Sequence, residues 1–538
     1  MSVLVLVVGV SQLLIGPGRT GITTDEPTQV ERTQNWLDGG DYVPAELIGI
    51  AGSADSKYVY GPAFALVAHA VNVISGNEEW GSVSWEQGAA LVRHRMAAVF
   101  ALLTAIVVGL VIAFTTGSRL IGLWAAAALL AIPIWIGMGF FNPKDTPAAA
   151  GYTFFTAALI LALRPGRERW RPERWDLPVF LLAGFGVFFA VGTRLAMWMS
   201  LLLSLLVFAL LAIQSTRAGG GPLRWPALIA GSALGLACLI VIYPGAFAHP
   251  LAFVTQTLGN SSSYSWIGVT LTAGRLLPEH PPWWYLPAWA FASTPVLIGL
   301  AALAGSAATA VSLWRTGRAK LLLARPIGRR QTTALLALGQ LLILPVASMV
   351  MGSTMYSGLR QHLYMVPALA MLAGLGAAWL LGWNRSRRSG SAWTWILTCG
   401  LVLALVMPTV SQLMLFPYDY VYVNPIAGLK GVDDRWEGDY WFASLKEATD
   451  KVPAGEVKYC GGVFPDRDFD PDSLRPCPSW YIPYSGQPRR PVPPGPGQRW
   501  TLLERRGGSG YPPACTPETA VTRRLWGETL VLSYVVRC

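Results

Sequence analysis

Long apolar segments recur along most of this 538-residue chain, and they constrain its fold more than any other feature of the sequence. A membrane-spanning helix needs about 20 predominantly apolar residues. Charged residues make up only 13% of the chain, whereas soluble domains contain about 25%. The sequence therefore predicts a polytopic α-helical membrane protein with about 11 transmembrane helices. The predicted spans are 2–15, 90–114, 119–138, 147–163, 177–193, 196–214, 226–243, 288–313, 333–351, 361–383 and 392–412.

The basic residues predict which ends of these spans face the cytoplasm. Arginine clusters lie in the loops 164–174, 217–224, 315–330 and 384–388. Counting spans places these loops and the N-terminus on one side, and loops rich in Lys and Arg face the cytoplasm. The net charge of +11 therefore reflects membrane topology and does not indicate a nucleic-acid partner. The composition, rich in Ala, Gly, Arg, Pro and Trp, suggests a bacterial genome, so a bacterial plasma membrane is expected.

The tail beyond the last span has a different character from the rest of the chain. It contains four of the six cysteines, Cys460, Cys477, Cys515 and Cys538. In an exported region these favour two disulfides, in one of three pairings. An amphipathic helix near the end of 416–453 is followed by strand-like runs at 456–464, 499–506 and 529–536, with a Pro/Gly-rich loop at 485–498. We expect a transmembrane domain over 1–412 and a small C-terminal α+β extracytoplasmic domain over 413–538.

Acidic and basic residues gather in the loops on the outer side. Asp25 and Glu26 follow the first span, while Lys144 and Asp145 precede the fourth. Other loops on that side contain His280, Trp283, Tyr285, Arg360 and His362, and Arg194 lies in the tight turn between spans five and six. Arg and Lys bind phosphate, and a carboxylate takes a proton from an attacking hydroxyl. This set of residue types suits a reaction on an anionic lipid-phosphate donor.

Each of these residues also has a simpler explanation. Asp25, Glu26 and Asp145 stand where helix caps are common. Lys144 could extend its side chain to the interface, and Arg360, His362 and Trp283 are typical interfacial anchors. Arg194 is harder to explain in this way, because a charge inside a nearly continuous apolar stretch is usually functional.

The order of several motifs resembles bacterial members of the protein O-mannosyltransferase superfamily, which are GT-C glycosyltransferases of the family 39 type. The motifs are the DE pair after the first span, NPKD at 142–145, GLRQH at 358–362 and FPYDYVYVNPIAG followed by DYWFASLKEA in the tail. The superfamily includes enzymes that transfer aminoarabinose to lipid A. The resemblance implies that the first outer loop, 16–89, forms two surface helices near 24–39 and 58–75. It also implies inverting transfer from a polyprenyl-phosphate sugar, with no cofactor and generally no metal required.

The resemblance also implies roles for individual residues. Asp25 would be the catalytic base, Glu26 its orienting neighbour, and Asp145 an acid that shapes the site. Arg360 and His362 would contact the donor phosphate, and Lys57 would be the basic residue ahead of the second surface helix. From their residue types and positions, and not from the resemblance, we expect Arg194 and Lys144 to contact the donor phosphate as well. On the same grounds we expect His280, Trp283 and Tyr285 to contact the acceptor or the sugar.

The expected function is transfer of a monosaccharide, mannose or another polyprenyl-linked sugar, to a hydroxyl on a protein, lipid or polysaccharide at the outer membrane face. A transporter or flippase for lipid-linked sugars is one alternative, although no internal repeat of the kind common in transporters is visible. An oligosaccharide ligase that uses a polyprenyl-pyrophosphate donor, and a non-catalytic scaffold, are the others. Dependence on a divalent metal stays open at this stage.

Overall fold

In the computed structural model, a bundle of apolar helices is followed by a small C-terminal β-sheet. The structure describes residues 1–43, 59–77, 87–163, 176–219, 223–262, 264, 266, 268–318, 327–386, 391–453, 456–463, 475–477, 499–505 and 510–538. The described helices are α1 Ser2–Ile15, α2 Glu26–Gly39, α3 Ala63–Ile74, α4 Gln87–Thr116, α5 Arg119–Leu130, α6 Pro133–Phe141, α7 Asp145–Ala162, α8 Asp176–Thr193, α9 Trp198–Arg217, α10 Trp225–Ile242, α11 Pro244–Phe247, α12 Pro250–Ser262, α13 Tyr285–Ala292, α14 Val296–Arg318, α15 Arg329–Val350, α16 Met365–Ser386, α17 Ser391–Leu415 and α18 Leu445–Thr449.

The helices confirm a multi-pass membrane protein, but with fewer clear spans than the sequence suggests. Within the described residues, eight helices are long and apolar enough to cross a membrane: α4, α8, α9, α10, α14, α15, α16 and α17. A ninth span results if α5 and α6 are counted together, although they are bent by 65°. The bend has a local cause, since Pro133 begins α6 and cannot continue the hydrogen bonding of α5.

The two remaining predicted spans correspond to α1 and α7, neither of which is both long enough and apolar enough to meet the criterion for a membrane-spanning helix. With 14 residues, α1 is about 21 Å long, which is shorter than the roughly 30 Å hydrocarbon layer. The 18 residues of α7 include Asp145, Thr146 and Pro147 in the first turn, and all 18 are buried by other parts of the protein. Its low apolarity is tolerated because α7 lies inside the bundle and not against lipid.

In its described residues, the segment 16–89, for which the resemblance implies two surface helices, contains the α-helices α2 and α3. α2 corresponds to the expected helix at 24–39, and α3 lies within the second expected helix at 58–75. The apolar α3 has only 12 residues, about 18 Å, and is too short to cross a bilayer. Pro62 and Gly61 precede it, and Gly61 approaches Gly192 of α8 so closely that a Cβ would lie 2.4 Å from the Gly192 carbonyl oxygen.

The C-terminal sheet has five described strands in the order β4-β3-β5-β7-β6. A separate two-stranded hairpin, β1 and β2, lies between α12 and α13. The three predicted strands correspond to β3, β5 and β7. The sequence does not predict β6, because its residues show no clear alternation of apolar and polar side chains. The strands are β1 Thr270–Thr272, β2 Arg275–Leu277, β3 Lys458–Val463, β4 Arg475–Pro476, β5 Trp500–Arg505, β6 Thr516–Leu525 and β7 Glu528–Arg537. The expected amphipathic helix is only the five residues of α18, and the loop 485–498 lies outside the described residues.

Residues 416–453, here called the connecting segment, join the sheet to the helices and pack against both. The Tyr420 backbone nitrogen approaches α6 at Gly137, where an added Cβ would lie 2.4 Å from it. The Gly21 N–H donates to the Ala443 carbonyl at 2.9 Å, and Lys446 Nζ donates to the Gly18 carbonyl at 2.6 Å. The connecting segment is therefore fixed against the loop that precedes α2.

Two disulfides close the C-terminal region, Cys460–Cys477 and Cys515–Cys538. The expectation of two disulfides is confirmed, and the structure selects this pairing from the three possibilities. Cys238 and Cys399 are free and exposed on α10 and α17.

The first testable prediction concerns these disulfides. The paired cysteines lie 17 and 23 residues apart, and closing loops of this size stabilises a fold by about 2–4 kcal/mol per bond. Cys515→Ser should lower the unfolding free energy of the C-terminal region by about 3 kcal/mol, measured by limited proteolysis in denaturant. In wild-type protein, mass spectrometry of the unreduced denatured chain should find two of the six cysteines alkylated. Six alkylated cysteines before reduction would contradict the pairing.

Candidate active site

The Asp25 carboxylate forms ion pairs with two basic side chains from distant parts of the chain. Asp25 occupies the position before α2, yet its side chain caps no backbone N–H of that helix. Instead Asp25 Oδ2 accepts hydrogen bonds from Lys144 Nζ at 2.5 Å and from Arg360 Nη1 at 3.3 Å. The two basic side chains are almost fully buried, whereas 34% of the Asp25 side chain is exposed. The simpler explanation of Asp25 as a helix cap is therefore wrong.

A second ion pair lies at the start of α7. The Asp145 carboxylate accepts hydrogen bonds from both Nε and Nη2 of Arg194, the former at 2.7 Å. Asn142 positions this turn, since its amide nitrogen donates to Asp145 and its Oδ1 accepts the N–H groups of Lys144 and Asp145 at 3.0 and 2.8 Å. The NPK turn thus directs Lys144 to Asp25, while Asp145 holds Arg194.

We refer to Asp25, Lys144, Asp145, Arg194 and Arg360 as the ionic cluster. Its three cations and two carboxylates leave one net positive charge. A sugar phosphodiester has one negative charge, and its phosphate monoester product has about −1.5 to −2 at pH 7. The surplus positive charge therefore complements a phosphodiester and favours the more negative product.

Aromatic rings hold the cations of the ionic cluster in place. The Arg360 guanidinium lies 4.7 Å from the Tyr356 ring centre and 4.6 Å from that of Trp441. Lys144 Nζ lies 4.9 Å from the Tyr60 ring and 5.6 Å from the Trp441 ring, and Arg194 also lies over Tyr60. A buried cation over an aromatic face gains about 2 kcal/mol, so these rings orient the basic groups as well as enclose them.

The cations also control the charge state of Asp25. Burial raises the pKa of the Asp25 carboxyl, but Lys144 and Arg360 outweigh burial and hold the pKa below its ordinary value. Asp25 is therefore a carboxylate at neutral pH. It can accept a proton efficiently only when another anion takes over part of the charge of these two cations.

Glu26 has a different environment from that of its neighbour. Its side chain is buried, and His94 Nε2 of α4 lies 3.0 Å from each of its oxygens. The Thr23 N–H and hydroxyl both donate to Glu26 Oε1, at 2.8 and 3.0 Å. Burial raises the pKa of Glu26, but His94 and the other partners lower it below its ordinary value. Glu26 therefore fixes the start of α2 against α4.

The second testable prediction follows from this buried pair. Glu26→Ala leaves His94 and the Thr23 N–H without their acceptor, and it should lower the unfolding free energy by about 3 kcal/mol. The measurement is thermal unfolding of the purified protein in detergent. The control is Asp38→Ala on the exposed end of the same helix, which should change stability by less than about 0.5 kcal/mol. Equal stability of the two variants would contradict a bracing role for Glu26.

A cavity of about 140 Å³ adjoins the ionic cluster. Tyr60, Arg194 and Tyr356 line the cavity and also contact the cluster. His362 lies on its wall, with Nε2 3.2 Å from the Ser348 hydroxyl. Burial and the nearby Arg194 charge lower the pKa of His362 to about 3, against a smaller opposing effect of Asp145. His362 is therefore neutral and does not supply a positive charge to a phosphate.

No protein-family model matches the chain, and no curated protein matches it. Solved structures do match it. ArnT from Cupriavidus metallidurans, bound to undecaprenyl phosphate, is similar over 99% of this chain and 97% of its own length, with 14% identity and a TM-score of 0.49. The apo oligosaccharyltransferase of Archaeoglobus fulgidus is similar over 84% of this chain and 58% of its own length, with 12% identity and a TM-score of 0.47. AglB of the same organism, in complex with an inhibitory peptide and a dolichol-phosphate, gives 11% identity and a TM-score of 0.46.

These neighbours are GT-C glycosyltransferases, the class that the sequence motifs resemble. At identities of 14% or less and TM-scores below 0.5, the likeness assigns no sugar, acceptor or catalytic residue to this chain. The roles of individual residues in this chain therefore have to be argued from the geometry of the site.

The remaining sequence-predicted residues lie in different places. Tyr285 is buried and donates to the Gly358 carbonyl at 3.3 Å, two residues before Arg360. His280 is exposed and bonds the Gly352 carbonyl at 3.0 Å, while 69% of Trp283 is exposed. Neither of the last two contacts the ionic cluster, and the position of Trp283 fits an interfacial anchor. Lys57 lies outside the described residues.

Some residues of the site had no sequence signal strong enough to select them. Trp441 lies in the connecting segment, more than 400 positions after Asp25, and Tyr60 and Tyr356 are tyrosines of interhelical segments. His94 lies inside an apolar helix, and a buried polar residue in such a helix usually has a specific partner. In the parts of the chain that the structure describes, no three His, Cys, Asp or Glu side chains are placed to hold a metal ion.

Proposed function

We propose that this protein transfers a monosaccharide from a polyprenyl-phosphate donor to an acceptor hydroxyl, with inversion at the anomeric carbon. The observation that supports the proposal is the ionic cluster. It combines a partly exposed carboxylate with buried cations in excess, next to a cavity. A phosphodiester and a hydroxyl are the reactants that such a set of groups can bring together.

The donor phosphate would take the place of Asp25 as the partner of Arg360 and Lys144. Its arrival frees the Asp25 carboxylate and raises the pKa of that group, because the phosphate neutralises the cations. Asp25 then removes the proton of the acceptor hydroxyl as the oxygen attacks the anomeric carbon. The bond from this carbon to the phosphate oxygen breaks, and its electron pair leaves with the polyprenyl phosphate. The cations stabilise the charge that builds up on the leaving phosphate.

The direct test uses purified protein in detergent with a polyprenyl-phosphate hexose labelled in the sugar. Release of polyprenyl phosphate and formation of a labelled product of inverted configuration are expected, both lost in Asp25→Asn. Intact donor after prolonged incubation with envelope extract as a source of acceptors would overturn the proposal. Donor movement across sealed vesicles without release would favour the flippase. Turnover of a polyprenyl-pyrophosphate oligosaccharide alone would favour the ligase.

The proposal includes an orientation and a division of the chain. The arginine-rich loops and the N-terminus would face the cytoplasm of a bacterial cell, an arrangement in which α1, α7 and the bent α5–α6 pair each cross the membrane. The ionic cluster and the tail from 413 onward would then lie outside, where disulfides form. The residues 413–538 would act as one extracytoplasmic region whose connecting segment completes the site of the 1–412 domain. Alkaline phosphatase fused after residue 538 should be active in the periplasm, and an inactive fusion would reverse this orientation.

The third testable prediction concerns Trp441, which the connecting segment brings to the site. Its carbonyl accepts the Thr24 N–H at 3.4 Å, and its ring faces Lys144 and Arg360. Trp441→Leu removes the aromatic face and should raise the donor KM about tenfold, whereas Trp441→Phe should stay near wild type.

The matched control for Trp441 is Trp436 in the same segment. It is also buried, but its ring packs on Trp289 and its indole N–H donates to the Ala427 carbonyl. Trp436→Leu should lower stability without changing the donor KM. Equal KM values for the two leucine variants would contradict a specific role for Trp441.

A further inference from the structure

The cavity beside the ionic cluster has the size of a single sugar. A buried water requires about 10–15 Å³ of such space, so 140 Å³ holds roughly ten water-sized groups. One monosaccharide ring with its hydroxyls is comparable in size. The cavity also adjoins the cluster directly: Arg194 belongs to both, and the lining residues Tyr60 and Tyr356 contact cations of the cluster.

The wall of the cavity is suited to neutral hydroxyl groups. Its polar residues carry hydroxyl or amide groups for the most part: Thr257, Asn260, Tyr264, Ser348, Ser353, Thr354, Gln361 and Tyr364. Such groups both donate and accept hydrogen bonds, as sugar hydroxyls do. Tyr60 and Tyr356 also line the cavity, and Tyr356 is stacked on Trp266 with ring centres 4.3 Å apart.

Tyr364 is a residue of the cavity wall with an unsatisfied hydroxyl. The residue is 4% exposed, and its hydroxyl has no hydrogen-bond partner among the described residues. A buried hydroxyl without a partner costs about 1–3 kcal/mol, so it is most stable when a ligand supplies the missing bond. Its ring is held at 5.5 Å from that of Tyr152 and 5.8 Å from that of His362, which fixes its position in the wall.

The charge around the cavity disfavours a second cation. Arg194 is the charged side chain among its described lining residues, and Asp145 is already engaged with Arg194. Burial, and to a smaller extent the Arg194 charge, also lower the pKa of the lining residue His362 to about 3. A surrounding that resists protonation of an imidazole also resists an ammonium group on a sugar.

We propose that this cavity binds the donor sugar as an uncharged monosaccharide and discriminates against an amino sugar. The inference rests on the proposed function, since it assumes that the donor phosphate lies at the ionic cluster. It goes further by assigning the substrate class and the residues that select it.

Equilibrium binding tests the inference without requiring turnover. Three lipids are compared in detergent: polyprenyl phosphate, a polyprenyl-phosphate hexose and a polyprenyl-phosphate aminopentose. The hexose lipid should bind at least about tenfold more tightly than the aminopentose lipid. Equal binding, or tighter binding of the aminopentose lipid, would overturn the inference. Hexose preference without any release of polyprenyl phosphate would count against the proposed transfer reaction and leave the sugar selectivity supported.

Two substitutions locate the selectivity in the cavity. Gln361→Glu introduces a carboxylate and should shift the hexose-to-aminopentose affinity ratio about tenfold toward the amino sugar. Tyr364→Phe removes the unpartnered hydroxyl and should weaken hexose-lipid binding about fivefold. Tyr364→Phe should bind polyprenyl phosphate as wild type does, whereas the Gln361→Glu result is read from the ratio of the two sugar lipids, in which any common effect of the new carboxylate on the phosphate cancels. Tyr511→Phe, at an exposed tyrosine of the C-terminal region, is the matched control for loss of a hydroxyl. An unchanged affinity ratio in both cavity variants would place the sugar elsewhere.

Discussion

Asp25→Asn should lower the rate of sugar transfer by about a thousandfold, which is within the range attributed to a positioned general base. The amide has nearly the same shape as the carboxylate, and its oxygen can still accept the hydrogen bond from Lys144. It cannot take the proton of the acceptor hydroxyl. Since the donor phosphate would interact with Lys144 and Arg360 and not with Asp25, donor binding should be retained. The measurement is kcat for release of polyprenyl phosphate, together with equilibrium binding of the donor.

The control for this variant is Asp38→Asn, which neutralises an exposed carboxylate at the far end of α2. It should leave kcat and KM unchanged. Size-exclusion elution and thermal unfolding show whether Asp25→Asn is folded. Folded Asp25→Asn protein with wild-type turnover would refute the assignment of the base. A variant that binds no donor would instead indicate that Asp25 shapes the phosphate site.

The sequence could identify the chemical groups of the site but only part of their arrangement. Asp25, Asp145 and Arg360 stand out because charges are rare beside apolar segments. Their pairing could not be derived, since 119 positions separate Asp25 from Lys144 and 335 separate it from Arg360. A carboxylate that caps a helix and one that forms a buried ionic cluster are indistinguishable in sequence. At Asp25 the structure distinguishes them by the missing capping bond and by the ion pairs with Lys144 and Arg360.

The same limit explains the differences in the fold. Most spans with long uniform apolar runs are located correctly, because hydropathy largely determines whether a helix is stable in lipid. The predicted span 288–313 is wrong at its start: α13 ends at Ala292 and the spanning helix α14 begins at Val296, after Pro295. α7 is stabilised by protein on all sides, so its apolarity understates how deeply it is buried. The strand β6 pairs with β7, and a tight turn at Trp526 and Gly527, both with positive φ, connects the two strands. The unusual backbone at Trp526 is held by its indole N–H, which donates to the Val423 carbonyl at 2.7 Å, a tertiary contact that no local pattern encodes.

Arg360→Gln should lower kcat/KM for the donor by about 100- to 1,000-fold. The substitution removes the guanidinium that the donor phosphate would contact, and it also removes one of the two cations that lower the pKa of Asp25. In the wild type, the lowered pKa keeps Asp25 ionised at pH values below the ordinary pKa of an aspartate. The ionised carboxylate stabilises the fold over that range. That stabilisation is lost as the pH falls through the pKa of the folded state. In the variant the pKa should rise, so the acid limb of the kcat/KM profile should move to higher pH.

Two further variants separate the charge of Arg360 from a general loss of structure. Arg360→Lys keeps the charge but loses the planar pair of donors, and it should lose only about tenfold in kcat/KM while the acid limb stays near that of wild type. Arg275→Gln removes an exposed arginine of the β1–β2 hairpin and should change neither quantity. If Arg360→Gln lowers kcat/KM with no movement of the acid limb, the guanidinium binds donor without acting on Asp25. If neither quantity changes, the donor phosphate does not lie at the ionic cluster, and the transfer reaction must be sought at another site.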